Sequence, residues 1–158
     1  MSIESKKTKT KEKEPLIVSA CLMGIGCRYD GESRGREDLS RLAERYTLIP
    51  VCPEIYGGLP TPRTPAEIVG ARVLTRDGRD VTAEYERGAA AALKIAEITG
   101  AKKALLKERS PSCGTGSVDA GTFTGALRPG DGVAAALLRR AGLSLFGESE
   151  IPELLGGD

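Results

Sequence analysis

Three short, mainly apolar runs in this chain are each followed by a cysteine. The runs cover residues 16–20, 47–51 and 103–107, and the cysteines are Cys21, Cys52 and Cys113. Runs of this kind are typical of strands that are buried on both faces of a parallel sheet. The carboxyl ends of parallel strands lie at one edge of the sheet, where α/β proteins bind their ligands. We therefore expect these thiols, which are far apart in sequence, to meet at that edge.

Helical patterns alternate with the apolar runs. The predicted helices cover residues 38–45, 82–99 and 132–141, and further strands are predicted within residues 69–75 and 143–146. Thr82 is the predicted capping residue of the long helix, and Gly100 is a suitable residue to end it. Strand–helix alternation predicts an α/β fold. We expect a single-domain, Rossmann-like parallel sheet with helices on both faces and cysteines at the carboxyl ends of strands.

The domain boundaries follow from changes in composition. Residues 1–14 interleave Lys and Glu and are predicted to form a flexible tail, residues 15–150 the domain, and residues 151–158 a C-terminal tail. The chain has no apolar run of the roughly 18 residues that a membrane helix needs. Its N-terminus has no apolar signal segment, so we predict a cytoplasmic location. The net charge of +1 does not favour binding to nucleic acid or to an anionic membrane.

The chain has four cysteines and no histidine. The absence of histidine excludes a Ser-His-Asp triad and imidazole metal ligands. Thiolates without imidazole select zinc, copper(I) or iron–sulfur clusters. Five residues separate Cys21 from Cys27, and the other gaps are longer, which fits neither zinc-ribbon nor ferredoxin spacing. The spacing therefore leaves the metal open, and ordinary buried thiols are the simpler alternative.

Polar residues beside the cysteines are candidates for catalysis. Glu54 lies two residues after Cys52 and is a candidate general base if burial raises its pKa. The hydroxyls of Ser110 and Ser112, just before Cys113, can donate hydrogen bonds to a ligand or a thiolate. A surface carboxylate and an ordinary turn are the simpler interpretations of these residues.

Several sequence blocks together resemble one bacterial family. The blocks are SACLMG (19–24), CRYDG (27–31), CPE (52–54), GGLPTPR (57–63), GRDVT (78–82) and LKERSPSCG (106–114). The family was long catalogued as a domain of unknown function and is associated with thiouracil desulfidases, and with related domains that act on thiolated uridine in transfer RNA. The resemblance covers about residues 15–150. One departure is VDAG at 118–121, where relatives often carry Tyr-Asp-Gly.

The resemblance implies a [4Fe–4S] cluster with one open iron that binds the substrate sulfur. The implied reaction is the non-redox desulfuration of 2-thiouracil or a thiouridine to uracil and sulfide. The implied cluster ligands are Cys21, Cys52 and Cys113, although Cys27 also matches the family pattern. The implied catalytic residues are Glu54, Ser110 and Ser112. The implied substrate-binding residues are Cys27, Asp30, Arg63 and Gly114.

Two other functions stay open from the sequence. One is a zinc- or cluster-stabilised binding module without catalysis, and the other is a thiol redox protein that uses Cys21 and Cys27 but has no C-x-x-C motif. The expected partner is a small thiolated pyrimidine and not a membrane. Thiolated transfer RNA is less favoured, because the chain is nearly neutral, but is not excluded. The oligomeric state is not predicted.

Overall fold

The fold is built on a sheet of four parallel strands in the order β2–β1–β5–β8. The computed structural model describes residues 12–31 and 38–156, so most of the predicted N-terminal tail and the last two residues lie outside the described residues. The strands are β1 (Glu14–Ser19), β2 (Tyr46–Val51), β3 (Ala66–Val69), β4 (Arg72–Thr75), β5 (Lys103–Leu106), β6 (Ser117–Asp119), β7 (Leu127–Pro129) and β8 (Ser144–Gly147). The helices are α1 (Asp38–Arg45), α2 (Pro53–Tyr56), α3 (Thr82–Thr99), α4 (Val133–Arg140) and α5 (Ile151–Gly156), with short 3₁₀ turns at Ala20–Met23 and Glu148–Glu150.

Both faces of the sheet are covered by helices. Leu16 and Val18 of β1 pack in a buried cluster with residues of α1 and α5, whereas Ile17 packs in a second cluster with residues of α3 and α4. Successive side chains of a strand point to opposite faces, so a strand buried on both sides needs an uninterrupted apolar run. The predicted α/β fold with helices on both faces is therefore confirmed.

The long helix α3 covers the predicted residues, but its start is capped differently from the prediction. The Thr82 hydroxyl does not cap the helix. The carboxylate of Asp80 accepts a hydrogen bond from the backbone N–H of Thr82, at 2.9 Å. The Thr82 hydroxyl instead accepts from the N–H of Val73 in β4, at 2.8 Å. The helix ends at Gly100, whose φ of 74° is the left-handed conformation that glycine adopts without strain. Two polar side chains thus attach the helix start to the neighbouring strand.

Two antiparallel hairpins lie outside the central sheet. The single strand predicted within residues 69–75 is the second half of the hairpin β3–β4, and the short strands of the hairpin β6–β7 were not predicted. The buried carboxylate of Glu67 joins the two hairpins, because it accepts hydrogen bonds from the N–H groups of Gly121 (2.8 Å) and Phe123 (3.1 Å).

The C-terminal segment corrects a prediction. Residues Ile151–Gly156, predicted as part of a tail, form α5. Ile151 and Leu154 are three residues apart on one face of this helix and are buried in the cluster that contains residues of α1.

Among the described residues, no helix has the length and apolar character needed to cross a lipid bilayer.

Helices α2 and α3 touch backbone to backbone through two glycines. A Cβ atom on Gly88 of α3 would lie 1.7 Å from the carbonyl oxygen of Pro53, and one on Gly57 would lie 1.9 Å from the carbonyl oxygen of Glu84. No side chain fits at either position, so both glycines are required for this approach. The contact fixes α2 against the long helix and thereby fixes Glu54, the residue after Pro53.

We expect Gly88→Ala to lower the free energy of unfolding by more than about 2 kcal/mol, because the added methyl group forces the two helices apart. This loss is larger than the gain of up to about 1 kcal/mol that alanine brings to a helix interior. Urea denaturation followed by circular dichroism measures the change. Gly156→Ala is the matched control, since a Cβ atom there meets nothing within 4 Å. Equal stability of Gly88→Ala and wild type would contradict the glycine contact.

Candidate active site

A cavity of about 480 Å³ lies at the carboxyl edge of the central sheet. It is lined by all four cysteines: Cys21, Cys27, Cys52 and Cys113. Cys21 follows β1, Cys52 follows β2 and Cys113 belongs to the loop after β5, so these thiols come from three strands that are adjacent in the sheet. The sheet order changes direction between β1 and β5, which is where α/β sheets open a ligand crevice. The predicted meeting of the thiols at this edge is confirmed.

The four thiols are free, and three of them are buried. Cys21 and Cys27 pack in one small cluster with the half-buried Cys52. The Cys52 thiol lies 3.8 Å from the carbonyl oxygen of Cys27, to which it donates a weak hydrogen bond. Cys113 packs in a second core cluster, and the hydroxyls of Ser19 and Ser112 lie beside its sulfur, that of Ser112 at 3.7 Å.

Burial disfavours the thiolate form of these cysteines. Burial and, to a smaller extent, the neighbouring Cys52 raise the pKa of Cys21 to about 11, while Lys107 and Arg28 oppose the shift. Burial also raises the pKa of Cys113 to about 12, against the two serine hydroxyls that stabilise its thiolate. Metal ligation requires thiolates, so a positively charged centre in the cavity is what would deprotonate these groups.

The donor set fits an iron–sulfur cluster better than a single ion. Within residues 12–31 and 38–156, no three Cys, Asp or Glu side chains converge closely enough to ligate one metal ion. Zinc would need four ligands around one point, whereas a multi-atom cluster takes thiolates from separate parts of a cavity wall. Four cysteines that line one cavity, with no histidine in the chain, match the second arrangement.

Glu54 lies in the first turn of α2 and is held at both carboxylate oxygens. Its Oε1 atom pairs with the Arg63 guanidinium, at 2.8 Å from Nη2 and 2.9 Å from Nε. Its Oε2 atom accepts a hydrogen bond from the Ser112 hydroxyl, at 3.1 Å. The Glu54 side chain is 13% exposed and that of Arg63 is 7% exposed, so the ion pair is largely removed from water. A carboxylate in this position faces the cavity with fixed geometry.

The sequence assigned Arg63 to substrate binding, but its donors are occupied within the protein. Besides Glu54, the guanidinium donates to the carbonyl oxygens of Pro60 (2.9 Å) and Cys27 (3.0 Å) and to the Thr61 hydroxyl (3.1 Å). A guanidinium has five N–H donors, and these contacts use them. Arg63 therefore ties the loop after α2 to Glu54 and to the Cys27 backbone.

The two serines before Cys113 have different surroundings. The Ser110 hydroxyl accepts hydrogen bonds from the N–H groups of Ser112 and Cys113, both at 3.1 Å, which is a local turn. The Ser112 hydroxyl is 2% exposed and donates to Glu54. It also lies 3.7 Å from the Cys113 sulfur. Ser112 thus connects the carboxylate to a cysteine, whereas Ser110 shapes the loop.

Asp30 and Gly114, which the sequence assigned to substrate binding, do not line the cavity. Asp30 pairs with Arg28 at 3.2 Å on the protein surface. Gly114 is buried, and a Cβ atom there would lie 2.7 Å from the carbonyl oxygen of Ser110. Gly114 is needed for the tight turn before β6. Contact of either residue with a bound molecule stays a prediction.

Several cavity residues were not singled out in the sequence. Tyr85, Phe123 and Asp119 line the cavity together with the four cysteines. The Arg76 guanidinium lies over the Phe123 ring, 5.8 Å from its centre. Asp119 occupies the segment that departs from the family pattern, and burial raises its pKa. Phe123 and Asp119 come from the unpredicted hairpin β6–β7, and Tyr85 comes from α3.

The family model of 2-thiouracil desulfurase matches residues 16–150. The chain belongs to the 2-thiouracil desulfurase family. A solved structure of a "[4Fe-4S]-dependent thiouracil desulfidase TudS (DUF523Vcz)" is 49% identical and superimposes with a TM-score of 0.87, over 92% of this chain and 97% of that one. The uncharacterized protein YbbK of Bacillus subtilis (strain 168) is 42% identical over 150 residues, which is 89% of this chain and 99% of YbbK. The family predicted from the sequence blocks is confirmed, and the desulfurase domain contains the whole cavity edge.

We expect Arg63→Met to lower the free energy of unfolding by about 3 kcal/mol, because it leaves the Glu54 carboxylate largely buried without its partner. Adding Glu54→Gln should recover part of that loss. Urea denaturation measures both variants. Arg72→Met is the control, since the Arg72–Asp80 pair is exposed and solvent screens it. An Arg63 variant as stable as the Arg72 variant would show that the buried pair does not stabilise the site.

Proposed function

We propose that this protein is a [4Fe–4S]-dependent desulfidase that converts a thiolated uracil and water into uracil and hydrogen sulfide. The reaction replaces a C=S bond by a C=O bond without a net change of oxidation state. The observation that carries the proposal is the Glu54 carboxylate, fixed by Arg63 and Ser112, in the cavity that the four thiols line. The family and the 49% identical desulfidase structure support it.

Cys21, Cys52 and Cys113 are the proposed cluster ligands. They follow three neighbouring strands and line one cavity of about 480 Å³, which supports the binding of a cluster there. When bound, the cluster supplies an open, soft Lewis-acidic iron for the substrate sulfur. The fourth thiol, Cys27, lines the same cavity beside Cys52 and is proposed to contact the substrate.

Glu54 is the proposed general base. Its carboxylate takes a proton from the water that attacks the thiocarbonyl carbon. Arg63 keeps one carboxylate oxygen in place, while Ser112 donates to the other. The Ser112 hydroxyl can turn from Glu54 toward the reacting oxygen, where it donates a hydrogen bond as charge develops. Ser110 contributes by holding the Ser112 and Cys113 backbone.

The substrate is proposed to be a small thiolated pyrimidine. The cavity is also lined by Tyr29 and Phe123, whose rings offer flat surfaces to a base. Thiolated transfer RNA is a less favoured substrate, because a net charge of +1 provides little attraction for a phosphate backbone. A cytoplasmic location would suit both the free thiols and an oxygen-sensitive cluster.

Single cysteine variants test the ligand assignment. After anaerobic reconstitution with iron and sulfide, we expect Cys21→Ser, Cys52→Ser and Cys113→Ser each to hold less iron than wild type, because each loses a thiolate ligand. Cys27→Ser is the matched control and should keep the full iron content. Iron analysis and visible absorbance measure the loading. If Cys27→Ser loses iron while one of the other three variants keeps its full iron content, Cys27 is the third ligand in place of the cysteine changed in that variant.

Glu54→Gln tests the catalytic assignment. The amide keeps the shape of the side chain but cannot accept the proton of water, so we expect the rate of sulfide release from 2-thiouracil or a thiouridine to fall by at least about 100-fold. The visible spectrum of the cluster should be unchanged. Glu86→Gln, on the exposed side of α3, is the control. Full cluster loading in wild type without sulfide release from any thiolated pyrimidine would disprove the proposed function.

A further inference from the structure

Asp119 is an acidic residue of the cavity lining that the proposed reaction does not use. It is the last residue of β6, it is half-buried, and it lines the cavity together with Glu54 and the four cysteines. Within the described part of the chain, its carboxylate accepts no hydrogen bond and forms no ion pair. A carboxylate that has lost part of its hydration gains from any donor that replaces the water. A molecule in the cavity can supply that donor.

Arg109 lies beside Asp119 in the cavity lining. Its backbone forms an isolated parallel β-bridge with Val118, the residue before Asp119. The Arg109 side chain is exposed, and among the described residues it has no hydrogen-bond or ion-pair partner. The cavity lining therefore offers a carboxylate and a guanidinium from adjacent segments, and the N–H groups of the guanidinium are open to a ligand.

The backbone on this side of the cavity is held in strained conformations. Arg109 has a φ of 71° and Phe123 a φ of 57°, and they are the two non-glycine residues with a positive φ in the described part of the chain. Both line the cavity. Strain of this kind persists where the surrounding structure enforces it, and it concentrates at ligand sites. The buried Glu67 carboxylate enforces it here, because it accepts hydrogen bonds from the N–H groups of Gly121 and Phe123 in the loop after Asp119.

A thiolated uracil has an edge that suits a carboxylate beside a guanidinium. In 2-thiouracil and in 4-thiouracil alike, a ring N–H lies between the thiocarbonyl carbon and the carbonyl carbon. The edge next to the reacting sulfur therefore presents a donor followed by an acceptor. A carboxylate accepts from the N–H, and a guanidinium donates to the carbonyl oxygen. A cytosine ring has a bare nitrogen and an amino group at these two places, which reverses both requirements.

We propose that Asp119 is a specificity-determining residue of the desulfidase, whose carboxylate accepts a hydrogen bond from the ring N–H beside the thiocarbonyl group, while Arg109 donates to the adjacent carbonyl oxygen. This inference rests on the proposed function and concerns which base the cavity accepts. Asp119 takes no part in proton transfer in this assignment. It binds the base equally in the ground state and in the transition state, so its loss should raise KM and leave kcat unchanged.

Kinetics of Asp119→Asn test the assignment on the full-length, anaerobically reconstituted protein, with 2-thiouracil or 4-thiouracil as substrate, whichever releases sulfide. The amide keeps the shape of the carboxylate but loses its charge, so we expect KM to rise by about 10-fold with little change in kcat. Iron content and cluster absorbance should equal those of wild type. Glu97→Gln, which removes an exposed carboxylate of α3, is the matched control and should keep the wild-type KM.

Arg109→Gly tests the guanidinium apart from the backbone strain. Glycine adopts the left-handed conformation without strain, so we expect this variant to unfold at about the same urea concentration as wild type. Its KM should nevertheless rise several-fold, because the donor to the carbonyl oxygen is lost. A wild-type KM in Arg109→Gly would overturn the role of Arg109.

Equilibrium dialysis provides a readout that does not depend on turnover. The wild-type holoprotein should bind uracil at least about 10-fold more tightly than cytosine, because cytosine places a bare nitrogen against the carboxylate. In Asp119→Asn this preference should fall towards unity, since the amide can donate to the bare nitrogen. An unchanged KM in Asp119→Asn, an equal rise in Glu97→Gln, or a uracil-to-cytosine ratio that is the same in wild type and Asp119→Asn would each overturn the inference.

The two proposals fail differently. A loaded wild-type protein that releases no sulfide from any thiolated pyrimidine refutes the desulfidase function, and the ratio of uracil to cytosine binding still tests Asp119. An active wild type whose Asp119→Asn variant has the same KM and the same preference for uracil refutes only the role of Asp119.

Discussion

The ion pair between Glu54 and Arg63 is the interaction on which the site depends. A carboxylate that is largely removed from water is tolerated only where opposite charge and hydrogen bonds replace its hydration. The structure satisfies this requirement from three segments: α2 supplies Glu54, the following loop supplies Arg63 and the loop after β5 supplies Ser112. Arg63 also donates to the Cys27 carbonyl, so the charged pair and the cysteine loop are built as one unit.

The sheet and the glycines place these segments together. The parallel strand order brings the carboxyl ends of β1, β2 and β5 to one edge of the sheet, and this positions the cysteines that follow them. The contact at Gly57 and Gly88 then sets the height of α2 against α3. Close packing transmits such constraints because the interior offers no spare volume. The orientation of the Glu54 carboxylate therefore depends on glycines that do not line the cavity.

The parts of this structure that follow from local pattern could be predicted from the sequence. The buried strand at Leu16–Val18 and the helix that ends at Gly100 have strong periodicity and end signals, and the strand-end rule located Cys21. Contacts between distant segments could not be predicted. Nothing in the local sequence distinguishes Tyr85, which lines the cavity, from an ordinary core residue. The N–H donors of Arg63 are occupied by carbonyl groups that only the folded chain brings near.

The Glu67 carboxylate joins the two hairpins, and the cavity lining therefore has two regions that differ in how freely their side chains can change. The cysteines of one region follow strands of the central sheet. The other region belongs to the two hairpins, which are joined by the Glu67 carboxylate as it accepts hydrogen bonds from two backbone N–H groups. Backbone donors do not depend on side-chain identity, except that Gly121 has no room for a side chain, because a Cβ atom there would lie 2.7 Å from the Ile68 carbonyl oxygen. Side chains such as Asp119 can therefore be exchanged without loss of the Glu67 hydrogen bonds or of the strand register. Within this architecture, side chains of the hairpin lining can change without moving the strands that position the cysteines.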